Sequence, residues 1–410
     1  MKSRNDPVTD STDHVSRPVS RRFFLKKLSF AGLSLGGVAG LTSISGCTVS
    51  QVRQTINTGQ KLYQGNVTQA ITSQIPVTGI HIIDREVKKQ VATLLNELAK
   101  TWGEERIATP KEVVKYTDHF KSRALINFTS GHIQVETVIE RNSKAALKKA
   151  IVSTLLMPSD PSEIDLLTAK AIKPGKTPFL FDLVRDQDQK PIQYAWRAKR
   201  FADYLIKNFY QTAKIAKGKN RGVTRHSVGF EMVKNYQGQQ QHRYQADVNR
   251  QAKRFHVEPA LIYSIIETES AFNPFAMSHI PAYGLMQIVP TSAGRDVYRK
   301  LHKRDGIPSK ETLFKPSHNI EYGTAYLSIL FTQYLKGIKN PKSREFCVIA
   351  AYNTGSGNVL KAFHGSRSTA VQKINRLSSK QVYLHLVSNL AYSEARRYLV
   401  KVTKNKRKYL

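Results

Sequence analysis

Residues 81–237 alternate between two kinds of hydrophobic pattern. Apolar residues recur at the spacing of a helix face in three segments, residues 87–98, 144–156 and 197–213. Apolar runs typical of strands occur at residues 124–128, 133–138, 179–184 and 227–233. The first two of these runs flank Thr129-Ser130-Gly131, which predicts a β-hairpin. This region is therefore predicted to form an α+β domain, and no catalytic constellation stands out in it.

The pattern changes near residue 238. Residues 237–242, Gln-Gly-Gln-Gln-Gln-His, form a short polar run that predicts a linker. Beyond this run helical spacing dominates, beginning with a predicted helix over residues 244–255, and strand-like patterns nearly vanish. We therefore expect residues 238–410 to form a second domain that is mainly α-helical.

One predicted helix of this second domain has a carboxylate on its apolar face. Pro259 stands where the first turn of a helix tolerates proline, and the helical pattern runs on to residue 270. At about 100° per residue, with Leu261 set to zero, Glu269 falls at about 80°, within the arc of the apolar residues. Glu267 falls at about 240°, on the opposite face. A carboxylate on a buried face has to be paired, protonated or reactive, so Glu269 is a candidate acid.

The beginning of the chain has the layout of an export signal. Residues 20–27, Ser-Arg-Arg-Phe-Phe-Leu-Lys-Lys, lead into an uncharged stretch over residues 28–46, and the basic part is similar to the twin-arginine signal. Glycines and serines make the stretch a poor transmembrane helix, although a membrane anchor remains the alternative. Ile44-Ser45-Gly46-Cys47 resembles a bacterial lipobox, in which the cysteine receives lipid.

These features predict where the protein resides. Residues 1–46 are expected to be the signal, and residues 47–80 a polar tether. Thr48 follows the cysteine, which by the same resemblance indicates the outer membrane. We therefore expect a lipid anchor at Cys47 that holds the protein at the periplasmic face of the outer membrane.

Charge and cysteine content narrow the possible partners. The 410 residues include 64 Lys and Arg against 30 Asp and Glu, a formal net charge of +34, which predicts attraction to a polyanion. The export signal argues against nucleic acid. The sequence contains only two cysteines and neither clustered metal-ligand motifs nor glycine-rich nucleotide motifs. We therefore expect no metal and no cofactor. The basic C-terminal cluster could bind a polyanion or be a solvated tail; it comprises Lys401, Lys404, Lys406, Arg407 and Lys408.

Four motifs follow one another in the second domain. Residues 269–278 read Glu-Ser-Ala-Phe-Asn-Pro-Phe-Ala-Met-Ser, and residues 282–287 read Ala-Tyr-Gly-Leu-Met-Gln. Residues 351–357 read Ala-Tyr-Asn-Thr-Gly-Ser-Gly, and residues 394–398 read Glu-Ala-Arg-Arg-Tyr. This order resembles that of the lytic transglycosylases related to goose-type lysozyme. The resemblance covers about residues 251–402 and implies a lysozyme-like fold for the second domain.

The same resemblance implies a reaction and a set of site residues. Glu269 would protonate the glycosidic oxygen of peptidoglycan, and its carboxylate would then take a proton from the 6-hydroxyl of the sugar, leaving a 1,6-anhydromuramyl end. Ser278 would bind substituents of the muramyl ring, and Gln287 and Asn353 would bind N-acetyl groups. The remaining three residues would shape the site: Tyr352 by positioning the reacting sugar, Met286 as subsite wall and Tyr398 beside the glutamate.

Other interpretations stay open at the level of the sequence. Met286 and Tyr398 could belong to the core, and residues 353–357 could be a simple turn. The whole protein could be a peptidoglycan-binding lipoprotein without activity, or a muramidase that uses water as its nucleophile. Its charge alone would also fit a nucleic-acid-binding protein. The sequence leaves the role of residues 81–237 and the oligomeric state undetermined.

Overall fold

A computed structural model of the protein describes residues 81–104, 106–278 and 282–410. The predicted signal, lipobox and tether, residues 1–80, lie outside these ranges. Within the described ranges, none of the helices is both long and apolar enough to cross a membrane.

The first domain is built on one antiparallel sheet of five strands in the order β1-β2-β3-β5-β4. The strands are β1 Glu112–Thr117, β2 Ser122–Asn127, β3 His132–Thr137, β4 Gln211–Lys214 and β5 Thr224–Glu231. The predicted hairpin is correct, since β2 and β3 pair with Ile126 opposite Ile133. The strand predicted near residues 227–233 is also present as β5. The sequence did not predict β1 and β4.

Helices cover both faces of this sheet. Helix α1 His81–Trp102 packs through Leu94 and Leu98 on the face that carries Val114 and Leu125. Two further helices, α2 Ser143–Leu155 and α3 Ala195–Phe209, share a core with the opposite face, which carries Ile133 and Val135. Because side chains alternate along a strand, each face of the sheet needs its own cover, and this arrangement supplies it.

Two sequence predictions in the first domain are wrong. Phe179, Leu180, Leu183 and Val184 are buried, but the run forms turns instead of a strand. The carbonyl of Leu180 accepts hydrogen bonds from the amides of Leu183 and Val184, both at 3.0 Å. A short apolar run predicts burial more securely than it predicts a strand. The helix predicted over residues 197–213 ends at Phe209, because the chain continues directly into β4.

The polar run at residues 237–242 is not a linker but the first part of helix α4 Tyr236–Phe255. Glutamine is a good helix former, so a glutamine run fits a helix as well as a loop. Gln240 is buried, and the Tyr236 hydroxyl donates to the carbonyl of Thr129 at 2.7 Å. The helix is therefore fixed to the first domain at its beginning.

The second domain contains helices joined by loops, and no strand of the sheet lies in its described residues. Besides α4 it contains α5 Pro259–Ser270, α6 Arg295–His302, α7 Lys310–Phe314, α8 Pro316–Ile329, α9 Pro341–Thr354, α10 Ser356–Phe363, α11 Arg367–Arg376, α12 Ser379–Asn389 and α13 Ser393–Lys406. One continuous apolar core joins these helices. Helix α5 is packed between α4 and α13 and is buried along most of its length.

The two domains share buried surface next to the end of α5. Ala271 and Phe275, which follow α5, belong to the core of the first domain. The ring of Phe275 meets the ring of Phe179 edge to face, with centroids 5.0 Å apart. Fully buried Asn273 donates to the carbonyl of Pro110 at 3.1 Å. The segment after α5 is therefore held by both domains.

Candidate active site

Helix α5 places Glu269 one residue before its C-terminus. The apolar residues predicted to share its face, Leu261, Ile262 and Ile265, are at most 1% exposed. Glu269 itself is 8% exposed, so its carboxyl group lies at the edge of a buried surface. A general acid has to be shielded from bulk water and still reach the substrate, and a carboxyl group in this position can do both.

The other carboxylate of the helix, Glu267, points to the C-terminus of the chain. Its two oxygens accept hydrogen bonds from the ammonium group of Lys408 and from the hydroxyl of Tyr409, the latter at 3.0 Å. The helical wheel thus separated Glu267 and Glu269 correctly. The wheel did not predict that the C-terminal residues Lys408 and Tyr409 cover the face that carries Glu267.

The helix ends abruptly after Ser270. Ala271 and Phe272 both adopt left-handed backbone angles, with φ of 51° and 63°. Left-handed conformations are unusual for residues with a side chain and are kept here by surrounding contacts. Asn273 supplies one of these contacts, because its side-chain oxygen accepts the amide of Phe275 at 3.0 Å.

A compact loop follows and carries the second motif. The amide of Gly284 donates to the carbonyl of Ala276 at 2.8 Å, and the amide of Ser278 donates to that of Ala282 at 3.2 Å. Gly284 has φ of 71°, and a Cβ atom at this position would lie 2.4 Å from Nδ2 of Asn319. Only glycine fits this turn.

Asn319 of α8 organises this loop, and sequence reasoning missed it. Its side chain is fully buried. Nδ2 donates to the carbonyls of Tyr283 and Leu313, each at 2.7 Å, and Oδ1 accepts the amide of Met286 at 2.7 Å. No motif marks this asparagine, because its partners lie on another part of the chain.

Gln287 and Met286 are both buried within the loop. Nε2 of Gln287 donates to the carbonyls of Ala276 at 3.1 Å and Gly284 at 3.0 Å, so this amide group stabilises the loop itself. Met286 is completely buried and lies against Gly323, where a Cβ atom would be 2.2 Å from its sulfur. This position favours the core alternative for Met286, and its part in a subsite stays a prediction.

Helix α9 brings the third motif to the same loop. The Tyr352 hydroxyl donates to the carbonyl of Met286 at 2.9 Å, and its ring packs against that of Tyr326 with centroids 5.6 Å apart. Asn353 follows on α9 and is 5% exposed. The second and third motifs therefore meet, as expected if they form one site.

Tyr398 lies on α13, which packs against both α5 and α9. Its side chain is buried at 6% exposure. The fourth motif thus lies in the layer next to Glu269, while the exposed Glu394 does not offer a second buried carboxylate.

Other carboxylates near the second motif have partners of their own. Asp305 accepts hydrogen bonds from Arg295 and Arg299, and these bonds lower its pKa. Asp296 accepts the Tyr334 hydroxyl at 2.9 Å, and burial raises the pKa of Asp296. In the part of the chain that the structure describes, no three His, Cys, Asp or Glu side chains come together as a metal site.

The first domain adds a cation that the sequence did not reveal. Lys111 precedes β1, and burial lowers the pKa of its ammonium group. The charge of Lys401 lowers this pKa further, whereas the carboxylates of Glu269 and Glu267 oppose the shift. Lys111 therefore lies within the electrostatic field of Glu269.

The basic C-terminal cluster is partly used inside the protein. Lys406 is 7% exposed and forms ion pairs with Glu258 and Glu345. Lys408 pairs with Glu267, as described above. For the buried Lys406 the alternative of a solvated tail is wrong. Binding of a polyanion by the cluster stays a prediction.

The helical domain, the buried glutamate at the end of its central helix and the converging motifs define a transglycosylase domain of the lysozyme-like class. Residues 247–375 match the family model described as the transglycosylase SLT domain. Residues 80–243 match the model of the membrane-bound lytic murein transglycosylase C N-terminal domain. The predicted fold class, an α+β domain followed by a helical lysozyme-like domain, is confirmed.

Relatives identify the family more closely. Membrane-bound lytic murein transglycosylase C of Yersinia pestis (strain Pestoides F) and that of Yersinia pseudotuberculosis serotype O:1b are each 44% identical over 323 residues. Each match covers 77% of this chain and 88% of the relative. The chain belongs to the family of membrane-bound lytic murein transglycosylase C.

Solved structures give shorter matches. The lytic transglycosylase Slt of Pseudomonas aeruginosa, solved as an inactive mutant, is 27% identical with a TM-score of 0.32. The 70-kDa soluble lytic transglycosylase of Escherichia coli is 26% identical with a TM-score of 0.31. Each match covers 40% of this chain and 24% of the solved chain, so this chain spans about a quarter of the length of those structures.

Proposed function

We propose that this protein is a lytic transglycosylase that cleaves the β-1,4 bond between N-acetylmuramic acid and N-acetylglucosamine in peptidoglycan. Cleavage would leave 1,6-anhydromuramyl ends and would serve the turnover and remodelling of the cell wall. The observation that carries the proposal is the position of Glu269, in the first family motif, at the buried end of α5. Membership of the family supports the reaction class.

Glu269 acts alone as acid and base in this proposal. Its protonated carboxyl group gives a proton to the glycosidic oxygen as the bond to the anomeric carbon breaks. The resulting carboxylate then accepts the proton of the 6-hydroxyl, whose oxygen closes on the same carbon. The nucleophile belongs to the substrate and is already in place, which favours it over water. A second carboxylate, which most glycosidases need, is not required.

The motif residues around Glu269 would hold the sugar chain. Ser278 would bind the substituents of the muramyl ring, and Gln287 and Asn353 the N-acetyl groups. Tyr352 would position the reacting sugar. The bond from Tyr352 to the carbonyl of Met286 supports a shared role for these motifs. Tyr398 would limit the movement of Glu269 from the neighbouring helix.

The protein would work while held at a membrane. We propose that Cys47 is lipidated and anchors the chain at the periplasmic face of the outer membrane, next to its peptidoglycan substrate. The name of the relatives, membrane-bound lytic murein transglycosylase C, supports a membrane-associated enzyme. The lipobox-like Ile44-Ser45-Gly46-Cys47 supports the lipid anchor.

Replacing each glutamate of α5 in turn tests the assignment of the acid. Glu269→Gln should slow the release of soluble fragments from purified sacculi by at least about 100-fold, because an amide cannot donate the proton. Glu267→Gln is the matched control on the same helix and should keep most activity, since an amide can still accept the Tyr409 hydroxyl. Equal activity of the two variants would exclude Glu269 as the acid.

A further inference from the structure

The first domain contains a strand edge that its own sheet leaves uncovered. Strand β3 pairs with β5 up to Glu231, but β4 pairs with β5 only from Thr224 to Ser227. The last residues of β5, 228–231, therefore have β3 on one side and, among the described residues, no strand on the other. An unpaired edge of this kind can accept an additional strand.

The register fixes which backbone groups face outwards. The amide of Met232 donates to the carbonyl of Gly131 at 2.8 Å. In an antiparallel ladder the residues bonded to the neighbour alternate, so residues 228 and 230 also face β3. The amide and carbonyl groups of Gly229 and Glu231 consequently point away from β3, toward the open side. Two residues of free edge suit a peptide of only a few residues.

A cavity of about 530 Å³ lies over this edge, and we call it the β5 edge groove. Its lining includes Gly229 and Glu231 together with Gln134 from β3 and Gln211 from β4. Aromatic rings of α3 form its wall, and among them Tyr204 is 38% and Phe209 47% exposed. Their rings meet edge to face with centroids 6.0 Å apart. The groove thus combines a strand edge, side-chain amides and an open aromatic surface.

The β5 edge groove offers one arginine to a carboxylate ligand. Its two acidic residues are engaged, Asp186 with Arg197 and Glu231 with the ring of His132 at 2.6 Å. Arg185 also lines the groove, and it forms no ion pair with any residue that the structure describes. A guanidinium group that is not engaged in an ion pair can pair with a carboxylate of a bound molecule.

We propose that the β5 edge groove binds the stem peptide of peptidoglycan through hydrogen bonds to the open edge of β5. The proposal rests on the proposed function, which makes peptidoglycan the substrate. A stem peptide is short, has a backbone that can pair with Gly229 and Glu231, and carries carboxylates for Arg185. In this arrangement the first domain holds a peptide while the second domain cuts a glycan strand.

Binding of isolated stem peptides tests the groove. The probes are stem peptides released from sacculi by an amidase, and the glycan strands left after this release. The protein is the full chain with Glu269→Gln, titrated by calorimetry. We expect it to bind the stem peptides, and we expect Gly229→Pro in this background to weaken binding by roughly fivefold to tenfold, the effect of one lost hydrogen bond.

Gly229→Pro removes one outward amide hydrogen and leaves the bonds to β3 in place, a position where strands tolerate proline. The added Cβ would lie 3.0 Å from the ring of His132, a side chain that is 42% exposed and free to shift. If this variant does not fold, as judged by circular dichroism, Tyr204→Ala replaces it. Trp196→Ala is the matched control, since Trp196 is an exposed aromatic residue of α3 outside the groove.

The outcomes are separable from those of the proposed function. Unchanged peptide binding in both groove variants, binding of glycan strands alone, or no binding of stem peptides would overturn the groove proposal. Cleavage of peptide-free glycan by the wild-type chain does not require a peptide in the β5 edge groove. Its loss, with peptide binding retained, would instead overturn the proposed function.

Discussion

A few buried polar side chains determine the geometry around Glu269. Asn319 satisfies three backbone groups on the two segments that it joins, residues 283–286 and residue 313. A buried backbone group that loses such a partner lowers the stability of the folded protein, because water cannot reach the group to replace the lost hydrogen bond. The shape of the loop after α5 therefore depends on one residue of α8.

Asn319→Ala should lower the free energy of unfolding by about 3 kcal/mol, the sum of its lost hydrogen bonds and the groups left unpaired. Chemical denaturation of the purified protein measures this change. Asn389→Ala is the control. Within the described part of the chain, the Asn389 side chain bonds only to His385 of its own helix, so the change in stability should be less than about 1 kcal/mol. Equal losses in the two variants would contradict the role given to Asn319.

Lys115 links the stability of the first domain to pH. Burial lowers the pKa of its ammonium group to about 8, although the group donates to the carbonyls of Asp165 at 2.7 Å and Thr168 at 2.8 Å. Between this value and the ordinary pKa near 10.5, the unfolded chain binds more protons than the folded chain. The contribution of Lys115 to stability must then rise with pH across this window.

The difference in unfolding free energy between wild type and Lys115→Met should therefore increase from pH 8 to pH 10.5, by roughly 3 kcal/mol at most. Denaturation curves at several pH values, recorded for both proteins, give this difference. A constant or falling difference would mean that Lys115 keeps its proton in the folded protein at these pH values.

At the scale of elements, the C-terminus of the chain secures the helix that carries Glu269. Asn405 near the end of α13 donates to Thr268 at 3.2 Å, and Tyr409 stacks on Tyr263 with ring centroids 5.3 Å apart. Burial and the neighbouring Glu267 raise the pKa of Tyr409, so it stays a neutral hydrogen-bond donor. The C-terminal segment thus holds helix α5 through Thr268, Tyr263 and Glu267.

Tyr409→Ala should destabilise the protein by about 3 kcal/mol, because it removes a stacked ring and a hydrogen bond to a carboxylate. The midpoint of denaturant unfolding reports this loss. Leu410→Ala supplies the control, since Leu410 is 83% exposed and should leave the midpoint unchanged. A Tyr409→Ala midpoint equal to that of the control would show that the C-terminus does not stabilise α5.

At the scale of the whole molecule, the first domain is part of the support of the candidate site. Phe275 inserts into its core, Asn273 bonds to Pro110, and Lys111 lies in the field of Glu269. The last two of these interactions join residues about 160 positions apart in the chain. The sequence alone gave no reason to connect them.

The limits of prediction follow from this difference between local and distant contacts. Helix α5, the hairpin of β2 and β3, and the buried position of Glu269 follow from local periodicity, so the sequence predicted them. The order of the four motifs resembles that of a known family, and this resemblance predicted the fold of the second domain. Asn319, Lys111 and the contact of Tyr409 with Glu267 depend on tertiary packing. The strand predicted at residues 179–184 and the linker predicted at residues 237–242 were wrong. Burial alone does not specify a strand, and polarity alone does not specify a loop.

In the proposed mechanism Glu269 drives an intramolecular closure of the muramyl sugar. Mass spectrometry of the fragments released from purified sacculi, in water enriched in heavy oxygen (¹⁸O), tests it most directly. We expect ends that are lighter than hydrolysed ends by one water and carry no heavy oxygen, from wild type and not from Glu269→Gln. Hydrated ends labelled with heavy oxygen would contradict this mechanism and would identify water as the nucleophile.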